Sequence, residues 1–178
     1  MKAREIVLVG TFAALSAVGA FIRIPFFPVS FTLQLFFVFM AGIMLGPNLG
    51  ALSQLVYILI GLLGFPVFAS GGGPGYVLMP SFGYLVGFVA CAYVTGLVFN
   101  LKKAPDYLWM VLSMILGLAA VYLIGVTGLY LNLKYVIGKP LTLVKAIVVG
   151  MLIFLPGDIV KISVAAYLSK QLIPRIRQ

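Results

Sequence analysis

Between Arg23 and Lys102 the chain carries no charged side chain, and its apolar runs there are broken only by proline, glycine and a few small polar residues. A water-facing surface cannot be built that way. Soluble domains carry about 25% charged residues, whereas this chain of 178 residues has 8%, with 63% hydrophobic residues and a mean hydropathy of +1.23. At about 20 residues per membrane-spanning helix, a chain of 178 residues has room for six helices and little else. The reading is an all-α integral membrane protein, a single domain over 1–178 with no extramembrane part, so that any function resides in the helix bundle.

The punctuation sets the spans at about 5–23, 31–46, 51–64, 82–100, 108–131 and 156–173. The first resembles a signal peptide, with small residues near Ala20, but it is long and further spans follow at once, so a retained helix is expected. Pro25 and Pro28 end it, and Gly46-Pro47-Asn48-Leu49-Gly50 is a tight turn between the second and third spans. An uncharged irregular stretch, Gly64 to Gly75, follows the third. Irregular backbone near a membrane is tolerated only where protein buries it or it lines a cavity. The segment 142–173 has two readings: one long helix kinked at Pro156, or a short interfacial helix over 142–155 and a final span starting at Pro156. The second is preferred, because proline suits the first turn of a helix and pushes its predecessor out of helical geometry.

Lys2, Arg4, Lys102, Lys103, Lys170, Arg175 and Arg177 flank one side of such a bundle, seven in all, against Arg23, Lys134, Lys139 and Lys145 on the other. The positive-inside rule places both termini in the cytoplasm and explains the net charge of +9 without nucleic acid. The Pro25–Pro28 turn, the glycine-rich stretch and the start of the last helix then share the outer face.

The residue inventory is equally restrictive. Histidine is absent and Cys91 is the single cysteine, which removes histidine–cysteine metal sites, disulfides and histidine-based triads. Three acidic residues, Glu5, Asp106 and Asp158, offer little for paired-carboxylate chemistry. No phosphate-binding G-x-x-x-x-G-K-[ST] motif occurs, so energised work would need a partner to hydrolyse nucleotide. The expectation is a non-enzymatic chain with no metal or cofactor.

Asp158 and Lys161 stand out against this background. A charge at membrane depth costs about 2.5–3.5 kcal/mol even on lenient scales and usually marks a path or a ligand site. A carboxylate that accepts two N–H groups, beside an ammonium that donates to a carbonyl, suits a cyclic urea or amide edge. The plainer alternative is an intrahelical pair that only offsets its own insertion cost. Gly71, Gly72 and Gly73 could wrap a ligand and offer backbone N–H donors, or be a simple connector. Gln34, beside Phe31, is a polar group that needs a partner in lipid. Tyr84 and Tyr122 are apolar walls with one hydroxyl each. Ala13 and Ala17 form a small-xxx-small face for close helix approach, either to a partner or within the bundle.

These pieces occur in a familiar order. Phe31-Thr32-Leu33-Gln34, Leu45-Gly46-Pro47-x-x-Gly50-Ala51, Tyr57, Gly61-Leu-Leu-Gly64-Phe-Pro66-Val-Phe68, Gly83-Tyr84-x-x-Gly87-Phe88 and Pro156-Gly157-Asp158-x-x-Lys161 resemble the BioY family. Its members are the biotin-specific substrate-binding (S) components of energy-coupling factor (ECF) transporters. The resemblance runs from about residue 5 to 173 and implies the six-helix S-component fold in a prokaryotic cytoplasmic membrane. It implies an outward-facing biotin site, with Asp158 and Lys161 at the ureido ring and the loop around Gly71–Gly73 closing over the ligand. Phe31, Gln34, Tyr84 and Tyr122 complete the expected pocket. Ala13 and Ala17 would dock the transmembrane coupling subunit, which two ATPase subunits drive. Lys134, Lys139 and loop N–H groups are the options for the valerate carboxylate. The competing readings are an autonomous ion-coupled secondary transporter, a small intramembrane enzyme, and an S component for another vitamin.

Overall fold

The computed structural model describes residues 1–103, 105–139 and 142–176, the last two of these without their side chains. Of the charges counted above, Arg177 and the side chain of Arg175 lie outside the described residues. Helix α1 (Ala3–Phe21) ends where Ile22 leaves helical angles. A short antiparallel ribbon follows, β1 (Arg23–Ile24) and β2 (Phe31–Thr32), pairing Arg23 with Thr32 and Ile24 with Phe31. Pro25 and Pro28, which cannot donate to a helix, occupy the turn between them. The second helix therefore starts at Gln34 rather than at Phe31, since Phe31 and Thr32 spend their backbone groups on the ribbon.

Helix α2 (Gln34–Leu62) is helical throughout except at Gly46, which has φ 79° and ψ −177° and precedes Pro47. The side chain of Gln34 bonds Tyr57 at 2.7 Å, and Gly50 lies against Ala41 and Gly42. In a straight helix, at 1.5 Å per residue, Gln34 and Tyr57 would stand about 35 Å apart. The element is thus a hairpin of two antiparallel arms, 34–45 and 47–62. Its fold is one residue in a backbone region that is essentially open to glycine alone.

A 3₁₀ turn (Pro74–Leu78) leads into α3 (Phe82–Asn100). Helix α4 (Tyr107–Leu131) is capped by the Asp106 carboxylate, which accepts from the Trp109 N–H at 3.2 Å, and it continues into a π-helical turn (Asn132–Val136). After it come α5 (Leu143–Ile147), a second π-helical stretch (Val148–Leu152) and α6 (Leu155–Ile176). Ile153 keeps helical angles, φ −64° and ψ −32°. The 143–176 segment is therefore bent just before Pro156 rather than interrupted by a loop. Pro156 supplies the reason: it has no N–H to give back to Leu152, and its ring crowds that carbonyl.

Among the described residues, five helices are long and apolar enough to cross a membrane: Ala3–Phe21, Gln34–Leu62, Phe82–Asn100, Tyr107–Val136 and Leu143–Pro174. Their outward faces carry leucines such as Leu63, Leu108 and Leu123 at more than 70% exposure, a surface suited to hydrocarbon rather than water. Inside, α1 packs on α2, α2 on α3 and α3 on α4, while α6 closes against α2 and α4. Glycine permits the closest crossing. A side-chain carbon on Gly42 would stand 2.6 Å from the Ala92 carbonyl, and one on Gly96 would stand 2.6 Å from the Gly46–Pro47 backbone. Lipid drives no hydrophobic association between helices, so such van der Waals contact holds a bundle together. The fully buried Phe39, Tyr57, Phe68, Phe99 and Met114 fill the middle.

Candidate functional site

The helix ends place the site. Gln34 and Leu35 at the start of α2, Val121 and Tyr122 of α4, and the N-terminal parts of α3 and α6 gather round one cavity of about 360 Å³. The 26–32 turn supplies one part of its rim and Ala69, Ser70 and Tyr76 another, with Ile137 beside them. The volume is within the range of about 300–1,000 Å³ for small-molecule sites.

Asp158, in the first turn of α6, and Lys161 one turn on are 3% and 8% exposed, the only buried charged side chains among the described residues. Lys161 Nζ donates to Asp158 Oδ1 at 2.7 Å, and the Tyr122 hydroxyl donates to Asp158 Oδ2 at 2.5 Å. The ammonium also sits 3.7 Å above the centre of the Phe31 ring, whose other neighbour is the stacked ring of Phe154. Charge is therefore neutralised pairwise, and the carboxylate is held from both sides. The ammonium is matched by a ring face, a contact worth about 2 kcal/mol or more once water is excluded.

A second polar group approaches from α2. Gln34 Oε1 accepts from the Thr32 hydroxyl at 3.0 Å, and Gln34 Nε2 donates to the Tyr57 hydroxyl. Tyr57 in turn donates to the Val67 carbonyl at 3.0 Å. This chain fixes which way the amide faces and leaves one Nε2 hydrogen beyond the Tyr57 bond. Tyr84 lines the cavity with its ring while its hydroxyl is spent on the Gly150 carbonyl at 2.7 Å. It acts as a wall and a brace between α3 and the second π-helical stretch.

Of the residues singled out in the sequence, Phe31, Gln34, Tyr84, Tyr122, Asp158 and Lys161 all line this cavity. Gly71, Gly72 and Gly73 do not. The Gly73 N–H bonds the Gly61 carbonyl at 2.7 Å, and Gly71 exchanges both backbone bonds with Phe68. The stretch is thus a hydrogen-bonded turn anchored by Phe68, wedged between Tyr57 and Tyr76. Gly71 and Gly73 have φ of 114° and 101°, which other residues rarely adopt. Ala13 is buried against the core and Ala17 is half-buried, while Ala3, Gly10 and Ala14 of α1 are exposed. The sequence reading placed the Pro25–Pro28 turn on the face of the pocket, but it missed Tyr57, Tyr76 and Phe154 as parts of the site. Only Pro156, two residues beyond Phe154, hinted at any of them.

A half-open pocket with an apolar wall and one polar cluster, set in a bundle of membrane-spanning length, defines a membrane-embedded binding protein of the transport class. The particular family follows from comparison: the BioY family model matches residues 1–178, and the chain belongs to that family. A probable biotin transporter BioY of Lysinibacillus sphaericus is 42% identical over 168 residues, covering 94% of this chain and 86% of that one. The biotin transporter BioY of Thermotoga maritima is 41% identical, covering 95% of each. The crystal structure at 2.1 Å of the S-component for biotin from an ECF-type ABC transporter superposes with a TM-score of 0.81 at 25% identity, covering 97% of this chain and 94% of that one. The chain stands with transport proteins and not with enzymes.

Proposed function

We propose that this chain is the biotin-binding membrane subunit of an ATP-driven ECF uptake system. The observation that carries the reading is the Tyr122–Asp158–Lys161 cluster inside an apolar cavity. Asp158 accepts the ureido N–H groups on the lone pairs that Tyr122 and Lys161 leave unoccupied. Lys161, with hydrogens beyond the one on Asp158, donates to the ureido oxygen. The spare hydrogen of Gln34 Nε2 points the same way. Phe31, Tyr84, Phe88, Val121 and Phe154 enclose the fused ring and the alkyl arm. Ala69, Ser70 and Tyr76 close over the ligand, and Gly71 to Gly73 shape the loop that carries them.

In this reading the two arms of α2 count as separate spans. That makes six, with both termini in the cytoplasm and the cavity open to the outside. The chain has no nucleotide-binding motif, so two ATPase subunits act through a membrane coupling subunit. The coupling subunit docks on the exposed face of α1, where Gly10 and Ala14 sit one turn apart with Ala17 at the edge.

The test is calorimetry on detergent-purified protein from biotin-depleted cells. Wild type is expected to bind biotin one-to-one, and Asp158→Asn is expected to weaken binding by about 100-fold, the loss of hydrogen bonds to a charged group. Undiminished binding by the variant would reduce the cluster to a structural role; no binding by folded wild type would sink biotin itself.

A further inference from the structure

A second concavity lies between α4 and the segment that follows it. This groove of about 540 Å³ runs from Ile115 to Thr127 on α4 and from Leu143 to Leu155 on the facing segment. At 1.5 Å per residue it is about 18 Å long, against about 15 Å for one leaflet of a 30 Å hydrocarbon core. The 143–174 segment is the least buried of the membrane-length helices, at 22% of its apolar window. The groove offers nothing to a polar ligand. The Thr127 hydroxyl is spent on the Leu123 carbonyl at 2.6 Å and the Tyr122 hydroxyl on Asp158, and every other lining side chain is apolar. A groove of that chemistry takes hydrocarbon. Its inner wall is shared, since Tyr122 lines the ligand cavity as well.

Beyond Thr127 the chemistry changes. Tyr130 and Lys134 continue the Leu123–Thr127 row at steps of three and four, the spacing that keeps side chains on one helix face. The Lys134 ammonium donates to the Tyr130 hydroxyl at 3.4 Å and lies 5.5 Å and 5.1 Å from the centres of the Tyr130 and Tyr135 rings. That bond leaves the ammonium two further hydrogens, and the hydroxyl, which accepts it, keeps its own. The sequence holds no acid between Asp106 and Asp158, and Asp158 is engaged by Lys161 and Tyr122. No carboxylate among the described residues therefore answers Lys134. Tyrosines beside a lysine at the end of an apolar span belong at headgroup level. We infer that the groove holds one acyl chain of an anionic phospholipid, whose phosphate is received by Lys134 and the Tyr130 hydroxyl. The lipid tail then packs on the ring whose hydroxyl holds Asp158. This site is separate from the cavity and does not rest on the biotin reading.

The experiment is native mass spectrometry on the detergent-purified full chain, supplied with equal amounts of dipalmitoyl phosphatidylglycerol and dipalmitoyl phosphatidylcholine. The two probes share their tails and differ in head charge. Wild type is compared with Lys134→Gln, Lys134→Arg, Lys145→Gln and Ala119→Phe. All three positions are exposed, so the variants are expected to unfold at the wild-type temperature. Wild type should retain one phosphatidylglycerol, preferred by about tenfold, the scale of one charged hydrogen bond. Lys134→Gln should lose the preference and Lys134→Arg should keep it. Lys145→Gln, on α5 and outside the row, should behave as wild type. Ala119→Phe, which fills the groove, should retain neither lipid. The inference is overturned if wild type retains no lipid or shows no preference, or if the preference follows Lys145 instead of Lys134. Retention that survives Ala119→Phe places the lipid elsewhere and overturns it too, as does a dimer of the chain that Ala119→Phe abolishes.

Discussion

Lys161 and Asp158 answer opposite questions at once: why a charge is tolerated inside a membrane bundle, and why it is retained. Pairing the two removes the net charge but not the cost of desolvating both, and an apolar pair of similar volume would be cheaper. The Tyr122 hydroxyl and the Phe31 ring lower that cost from outside the helix that carries the pair. Removing one partner alone is therefore expected to be worse than removing both. Lys161→Met should destabilise the protein by about 3–5 kcal/mol, while the double variant Asp158→Asn/Lys161→Met should regain most of that in a thermal-unfolding series and still bind no biotin. If the double variant is as unstable as the single one, the pair is not what limits stability here. Tyr122→Phe keeps the wall and loses one bond to the carboxylate. Biotin affinity should fall about tenfold and stability by about 1.5–3 kcal/mol, the scale of a hydrogen bond to a charged group, and an unchanged affinity would show that Asp158 is oriented by Lys161 alone.

The hairpin of α2 decides whether the site exists, because Gln34 and Tyr57 meet only if the arms fold back. Gly46 is the residue that allows it, at φ 79° and ψ −177° next to a proline. Gly46→Ala should cost about 1–3 kcal/mol, the scale for a residue forced into such a region. The loss should appear in unfolding and, through the displaced Gln34 amide, in biotin affinity as well. An alanine variant with wild-type stability would mean that the arms are held by packing alone. At the other end of the chain, the sequence could not choose between one kinked helix and two. The geometry lies between these: hydrogen-bonded turns persist through a π-helical stretch, and the bend falls where Pro156 withholds its N–H. Just before α6, Phe154 stacks on Phe31, and Asp158 falls in the first turn of that helix.

Burial is uneven across the bundle. Half or more of the apolar windows of α2, α3 and the 107–136 segment is buried, but only 33% of that of α1 and 22% of that of 143–174. Both of these segments leave an apolar face open, and the docking proposed for α1 rests on its exposed small residues Gly10 and Ala14. Ala14→Leu should leave biotin binding intact while abolishing ATP-dependent uptake in cells that supply the coupling and ATPase subunits. Ala13→Leu, pointing into the core, should lower stability instead. Uptake that survives Ala14→Leu would move the docking surface off this face.

Composition and spacing alone determined that the chain lives in a membrane as a helical bundle. Hydrocarbon permits no charge and no unpaired backbone, and that constraint is written residue by residue between Arg23 and Lys102. The motifs carried the family, and the residues singled out in the sequence include six that line one cavity. Only the tertiary structure decided the rest. That Ala13 faces inward and Gly10 outward depends on the rotation of α1, which apolar residues on all sides do not encode. That Tyr122 completes Asp158 depends on two helices meeting across 36 residues. That the glycine stretch is a hydrogen-bonded turn depends on which loops touch. In lipid, long-range packing settles such contacts, and no local pattern in the sequence specifies them.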